Sequence, residues 1–264
     1  MNVTVYQIYY DIAQLSFLDK SFIPYDNTSN LNREWAEYHI FEKEYAEMTH
    51  QKQDYTGFFS WKYLQKSRIP GNRFLEFIQK NPAFDVYFLN PFPMEEYLFE
   101  NVWMQGELFH KGILDFSQRI LERMGYSVDL RQWKQDRMSF AFCNYWVGNQ
   151  KFWDQYMAFT GKFAQMLRTG LSDSEKKFLH SIASRQNHFS YVAFIMERLF
   201  STFVYLEKAN LRALRYEYSD EEIRIRYPGK KLWIWNILKS RFPFLGTLRA
   251  VVRKLVKLTR KRDF

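Results

Sequence analysis

The sequence holds one cysteine, ten glycines and seven prolines in 264 residues. A lone cysteine closes no intramolecular disulfide, which excludes a disulfide scaffold and points to a reducing, cytosolic setting. That residue, Cys143, lies in the apolar run MSFAFCNYWVG and reads as a buried thiol. No apolar run approaches the roughly 20 residues of a membrane span. The opening MNVTVYQIYYD has a strand pattern, not the basic-then-apolar layout of a secretory signal. There is no Walker A motif, GxGxxG, Gly-rich phosphate loop or GxSxG, which removes the commonest nucleotide-binding and hydrolase readings. The five histidines show no HExxH or paired spacing, so a zinc site is disfavoured.

What is abundant is apolar and aromatic surface. The chain is 47% apolar and 20% aromatic, with 26 Phe, 18 Tyr and 8 Trp. That is ample core for one large domain or two small ones, and it rules out disorder over the whole length. The net charge of +9 is uneven. From Gly229 onward there are eleven Lys or Arg against one acid, Asp263, while residues 1–228 carry 27 basic and 28 acidic groups. The sequence therefore divides into a near-neutral domain over 1–215, a hinge over 216–228 and a basic tail over 229–264.

Periodicity predicts strands at NVTVYQIYY, FDVYFLNP and MSFAFCNYWVG. It predicts helices over Asn30–Tyr45, YTGFFSWKYLQKS, Asn72–Lys80, Asn101–Met124, Gln150–Leu167 and from Ser172 through HFSYVAFIMERLFSTFVYL. Strands alternating with helices imply an α/β fold with a mostly parallel sheet flanked by helices.

In such sheets ligands collect beyond the carboxyl ends of the strands. Tyr9, Tyr10 and Asp11 follow the first strand, Asn90 the second, and Asn144, Tyr145 and Trp146 the third. These are candidate ligand contacts, or turn residues satisfying the backbone. Trp103, Glu107 and His110 share one helix face by their spacing. Either Glu107 or His110 could deprotonate an acceptor hydroxyl. Ser60 lies beside Lys62 and Lys66, which are four apart, and two ammonium groups on one face suit a diphosphate. Arg198, beside Glu197 in an apolar helix, is either half of a structural ion pair or a phosphate ligand.

The tail segment TLRAVVRKLVKLTRKR collects Leu and Val near one face and Lys and Arg on the rest, after a stretch bearing Trp233 and Trp235. A basic amphipathic helix with Trp suits an anionic membrane surface. Nucleic acid is the competing partner and fits the apolar face less well.

The succession SFIPYDN, EWAEYHIFEKEY, YTGFFSWKYLQKS, FDVYFLNP, NVWMQGELFHKGILD, FCNYWVGNQKFWDQYMAF and MERLFSTFV resembles bacterial glycosyltransferases of capsule and lipopolysaccharide O-antigen synthesis, including the capsular polysaccharide synthesis domain group. The resemblance runs over residues 2–208. It implies a GT-A-like fold, a nucleotide-sugar donor, a lipid-linked glycan acceptor and a peripheral place on the inner face of the cell membrane. Donor contacts would be Tyr9, Asp11, Ser60, Lys62, Lys66, Asn90 and Arg198. Acceptor contacts would be Trp103, Asn144, Tyr145 and Trp146. Metal-dependent members place Asp-x-Asp at a strand end, whereas the strand here ends in Asn90, a poor sole ligand for Mg²⁺. A divalent metal is therefore doubtful, and Lys62, Lys66 and Arg198 are the groups left to neutralise a leaving diphosphate. A non-catalytic membrane scaffold is the alternative.

Overall fold

The computed structural model describes residues 1–184 and 189–239. The amphipathic segment predicted beyond Lys239 lies outside the described residues.

Alternating β-branched and aromatic residues make Val3–Tyr9 the first strand, β1. It is followed by β2 (Ile23–Asp26) and helix α1 (Tyr38–Ala46). Next come β3 (Tyr55–Ser60), α2 (Tyr63–Ser67), α3 (Gly71–Lys80) and β4 (Val86–Phe88). Three helices, α4 (Glu95–Leu98), α5 (Val102–Phe109) and α6 (Ile113–Arg123), lead through an irregular stretch to β5 (Trp146–Gly148). Then follow α7 (Gln150–Thr169), α8 (Asp173–Leu179) and a small hairpin of β6 (Ile182–Ser184) and β7 (Phe189–Ser190). The described chain closes with α9 (Tyr191–Leu206), β8 (Ala213–Arg215), α10 (Asp220–Arg226) and α11 (Lys230–Lys239).

Six strands form one sheet in the order β2-β1-β3-β5-β4-β8. Neighbours pair in parallel except around β5, which runs antiparallel to both β3 and β4. The carboxyl ends of β1, β3, β4 and β8 therefore share an edge with the amino end of β5. This edge positions the site.

The mixed α/β expectation holds, with five local corrections. The continuous helix expected from Ser172 is two, α8 and α9, parted by the β6–β7 hairpin. Tyr55–Ser60, read as part of a helix, is a fully buried strand. Its helix-like spacing loses to the sheet, because every residue of the strand is enclosed, with Phe58 and Phe59 nearly inaccessible. Burying a Phe side chain contributes roughly 1.5–3 kcal/mol. The single helix over Asn101–Met124 is two, parted where Gly112 adopts φ +90°. Only the last three residues of MSFAFCNYWVG are strand, because Cys143 and Asn144 take φ of +69° and +52°. The helix expected from Asn30 begins at Tyr38.

The core is a continuous aromatic lattice. Trp146 packs against Phe41, Trp153, Tyr156 and Phe200 at centroid distances of 5.1, 4.8, 5.3 and 6.0 Å. The segment read as a hinge contains α10, whose capping box is closed by Ser219 and Glu222. It is tied to the body by Tyr218 Oη, which donates to Ser67 O at 3.0 Å.

Candidate functional site

The residues that meet at the carboxyl edge come from five elements. Gln7 of β1 is completely buried and fixes the end of β3: its Nε2 donates to the carbonyls of Ser60 and Trp61, both at 3.3 Å. That holds Ser60 opposite Tyr145, whose hydroxyl lies 3.2 Å from Ser60 Oγ. One turn on, at the start of α2, come Lys62 and then Lys66. Lys66 Nζ donates to Cys143 Sγ at 3.2 Å. Cys143 N donates to the Glu197 carboxylate of α9 at 2.7 Å. The left-handed conformations of Cys143 and Asn144 turn this loop over the sheet edge. For non-glycine residues that conformation costs about 1–3 kcal/mol each. Strain of that kind gathers at functional sites.

The charges here are mutually dependent. Burial works against the Lys66 ammonium. Cys143, Tyr145, Glu197 and Glu37 around it outweigh that and hold its pKa above the ordinary lysine value. Lys62 goes the other way: burial first, then repulsion from Lys66, pull its pKa down. Burial pushes the Cys143 thiol up to about 12, against the influence of Lys66, so it stays protonated and is no nucleophile. Burial raises the pKa of Glu37, at the start of α1, although Lys66 opposes it. Burial has the same tendency at Glu197, but Lys66 and Arg198 overcome it and keep that carboxylate ionised. Tyr10 completes the cluster, its phenol raised by burial and then by Glu37 and Tyr145. Lys62, Lys66, Glu37 and Glu197 all remain partly open to solvent. Two cations and two carboxylates, with the pKa of Glu37 raised and that of Glu197 lowered, thus share one accessible corner.

Of the residues singled out by sequence, this corner gathers Ser60, Lys62, Lys66 and Tyr145, with Asn144 in the adjoining turn. Asn144 Oδ1 is buried there with no hydrogen-bond partner among the described residues.

The others are engaged differently. The Tyr9 phenol hydrogen-bonds Asp26 on β2. Asp11 caps a 3-10 turn, accepting from Ala13 N at 2.8 Å. Asn90 is buried and accepts from Phe92 N at 3.0 Å, closing the turn after β4. Trp103 is buried and donates to Thr202 Oγ1 at 3.0 Å. Trp146 is wholly inside the aromatic core. Glu107 accepts from Gly112 N at 2.9 Å and from Leu114 N at 3.2 Å, so its carboxylate holds the α5–α6 turn. His110 stacks on Phe194 at 3.8 Å, with Nδ1 3.1 Å from Ala183 O. Arg198 is only 3% exposed and donates to Val102 O, Phe194 O and Gln105 Oε1 at 3.0, 2.7 and 2.7 Å. It braces α5 against α9. Leu89 N donates to Tyr145 O at 2.9 Å, so Asn90 follows the 144–146 turn in space, but its side chain serves the turn after β4 and Asp11 serves its own 3-10 turn.

Sequence reasoning passed over Glu37 altogether and took Cys143 as core. Glu37 is one of five glutamates between residues 34 and 47, and nothing in the local pattern separates it from the rest. Among the described residues no group of three or more His, Cys, Asp or Glu side chains could hold a metal ion.

No family model matches the sequence, and no curated protein is similar to it. Among solved structures it resembles the apo form of the bifunctional glycosyltransferase WbbM, at 14% identity with a TM-score of 0.52. The likeness covers 81% of this chain and 44% of that one, so the chain spans less than half the length of its structural neighbour. At that identity the shared property is the fold.

Proposed function

We propose that the chain is a glycosyltransferase that moves a sugar from a nucleotide-sugar donor to a lipid-linked surface glycan, at the inner face of the cell membrane and without an Asp-x-Asp metal site. The observation that carries this reading is the meeting of Lys62, Lys66 and Glu37 at the carboxyl edge of a sheet whose fold is shared with a glycosyltransferase. That edge is where α/β sheets bind nucleotides.

In the reaction an acceptor hydroxyl attacks the anomeric carbon. The bond from that carbon to the phosphate oxygen breaks, and the nucleoside diphosphate leaves with the electron pair. Lys62 and Lys66 offset the charge that develops on it. Glu37 takes the hydroxyl proton. A carboxylate whose pKa is raised toward the working pH is a better base than an ordinary one. This reading moves the base away from Glu107 and His110, whose polar atoms serve the α5–α6 turn and the contact with Ala183. The strand ends, Ser60-Trp61-Lys62 and Leu89-Asn90-Pro91, carry no paired carboxylates to ligate a divalent ion.

The test is incubation of the full chain with a panel of nucleotide sugars and lipid-linked acceptors, with and without EDTA. Transfer, or slow release of nucleoside diphosphate, is expected to persist in EDTA and to fall by about 100-fold in Glu37→Gln. The reading is abandoned if no donor binds and no nucleoside diphosphate is released across the panel.

A further inference from the structure

A cavity of about 380 Å³ opens on the same sheet edge, beyond β4 and β8. Its apolar lining comes from Pro93, Ile223 and Trp235, the last contributed by α11. Trp235 is fixed between Tyr97, edge-on at 5.2 Å, and Tyr227, stacked at 5.8 Å. The polar lining is planar and bidentate: Arg137, Arg215, Glu217 and Asp220.

The charges in this lining are already matched to one another. Arg137 binds Glu96 at 3.1 Å and also pairs with Glu217, while Arg215 pairs with Glu96. The charged groups of the lining, Arg137 and Arg215 against Glu217 and Asp220, balance and leave no positive excess to draw phosphate. The paired carboxylates leave no strong call for a cation either. A rigid aromatic wall with several fixed donors and acceptors and no net charge suits an uncharged polyhydroxylated ligand.

A second observation also points to a ligand. Arg215 is 2% exposed, and its buried Nε has no hydrogen-bond partner among the described residues. A carboxylate oxygen of Glu217 is 3.7 Å away, too far for a hydrogen bond. Satisfying that donor takes a shift of the Glu217 carboxylate, which stands on the exposed rim, or an added acceptor beside it. Buried donors left without acceptors are costly, and each calls for a physical explanation such as an ordered water, an ion or a functional role.

We propose that this cavity is a saccharide subsite, taking one or two neutral sugar rings by their hydroxyls against the Trp235 wall. Hydrogen bonds tie its wall to the helix of the lysine corner. Tyr218, which also lines the cavity, donates to Ser67 O at 3.0 Å at the carboxyl end of α2, the helix that carries Lys66. Arg226 of α10 donates to Ser67 O at 3.1 Å and to Lys66 O as well. The naming of this subsite as the seat of the acceptor glycan rests on the glycosyltransferase reading. The binding of sugar does not.

The experiment is saturation-transfer NMR on the full chain. The probes are methyl pyranosides of the common hexoses, deoxyhexoses and N-acetylhexosamines, with their disaccharides, and inorganic pyrophosphate is titrated separately. At least one neutral sugar is expected to receive saturation. That signal should fall at least fivefold in Glu217→Ala and in Asp220→Ala, two side chains on the exposed rim, and should survive Lys62→Ala. Melting curves confirm that each variant is folded. Three results overturn the proposal: no probe sugar is saturated, the signal is indifferent to both rim variants, or pyrophosphate displaces the sugar in Lys62→Ala. Absence of pyrophosphate binding to the unaltered chain, with sugar binding intact, refutes the transferase reading alone. The opposite outcome refutes the subsite alone.

Discussion

Lys62 is a cation with its hydration reduced and a second cation nearby, and those two effects set how the site must respond to pH. A diphosphate between Lys62 and Lys66 prefers both as ammonium groups. Because the Lys62 pKa is lowered in the free protein, its proton is the first of the two to be lost as pH rises. Affinity for pyrophosphate is therefore expected to be level below that depressed pKa. Above it, affinity should fall by up to about tenfold per pH unit, since each lost proton must be regained on binding. Arginine stays charged throughout, so Lys62→Arg should abolish the decline while keeping neutral-pH affinity within about tenfold. Calorimetric titration at several pH values checks both, and a pH-independent wild type contradicts the placement of the diphosphate. At this scale the sequence was half legible. Lys62 and Lys66 announce themselves by their spacing in a short helix. Glu37 does not, because its raised pKa comes from enclosure by segments remote in sequence. Arg198 looked equally promising in an apolar helix, yet its donors are consumed by backbone carbonyls and Gln105.

Elements were legible where one residue pattern had one solution. β1 and α7 emerge near their expected bounds, since an alternating β-branched run and a long amphipathic run each bury their apolar face in one way. β3 did not, because an aromatic-rich hexapeptide suits a buried strand or a helix equally well. Its partner strand decides the matter, and Gly57 shows how closely. A Cβ at Gly57 would lie 2.5 Å from Trp146 O and 2.9 Å from a Val147 methyl. Gly57→Ala is therefore expected to separate β3 from β5 at a cost of about 1–3 kcal/mol. At about 2–4 °C per kcal/mol for a chain of this size, the melting temperature should drop by several degrees. An unchanged melting temperature would contradict the β3–β5 pairing. The start of α8 offers a pH-dependent counterpart. Glu175 closes a capping box with Ser172 and binds Arg123 at 2.6 Å; the Arg123 side chain and the Ser172 backbone lower its pKa to about 2. A carboxylate with a depressed folded pKa stabilises above its unfolded value, here 4.5, and loses that contribution as pH falls toward 2. Glu175→Gln should thus lower the melting temperature by about 2 °C at pH 7, in line with a cap worth about 1 kcal/mol. The difference from wild type should shrink steadily from pH 4.5 downward.

The whole molecule is the least legible scale, because the strand order β2-β1-β3-β5-β4-β8 departs from chain order wherever the site is built. Placing β5 between β3 and β4 brings Tyr145 beside Ser60, 85 residues away, and no local pattern encodes that. What the sequence does display at this scale is the asymmetry of charge. The basic segment begins with α11, which is part of the body: Trp235 and Leu238 are 5% and 0% exposed, while Trp233 is 64% exposed. Removal of the whole segment from Gly229 would therefore strip a wall from the cavity as well as charge. Truncation after Lys239 keeps that wall and deletes eight Lys or Arg against one Asp. Near an anionic leaflet each cation contributes roughly 1 kcal/mol, so on the membrane reading proposed above the deletion removes several kcal/mol of attraction. The full chain is expected to float with vesicles containing phosphatidylserine at low salt and to be released as salt screens the lipid charge. The truncated chain should stay with the soluble fraction yet bind pyrophosphate as before. Equal flotation of both forms would place the membrane contact elsewhere. Tight binding to duplex DNA without lipid, weakening steeply with salt, would assign the tail to nucleic acid instead.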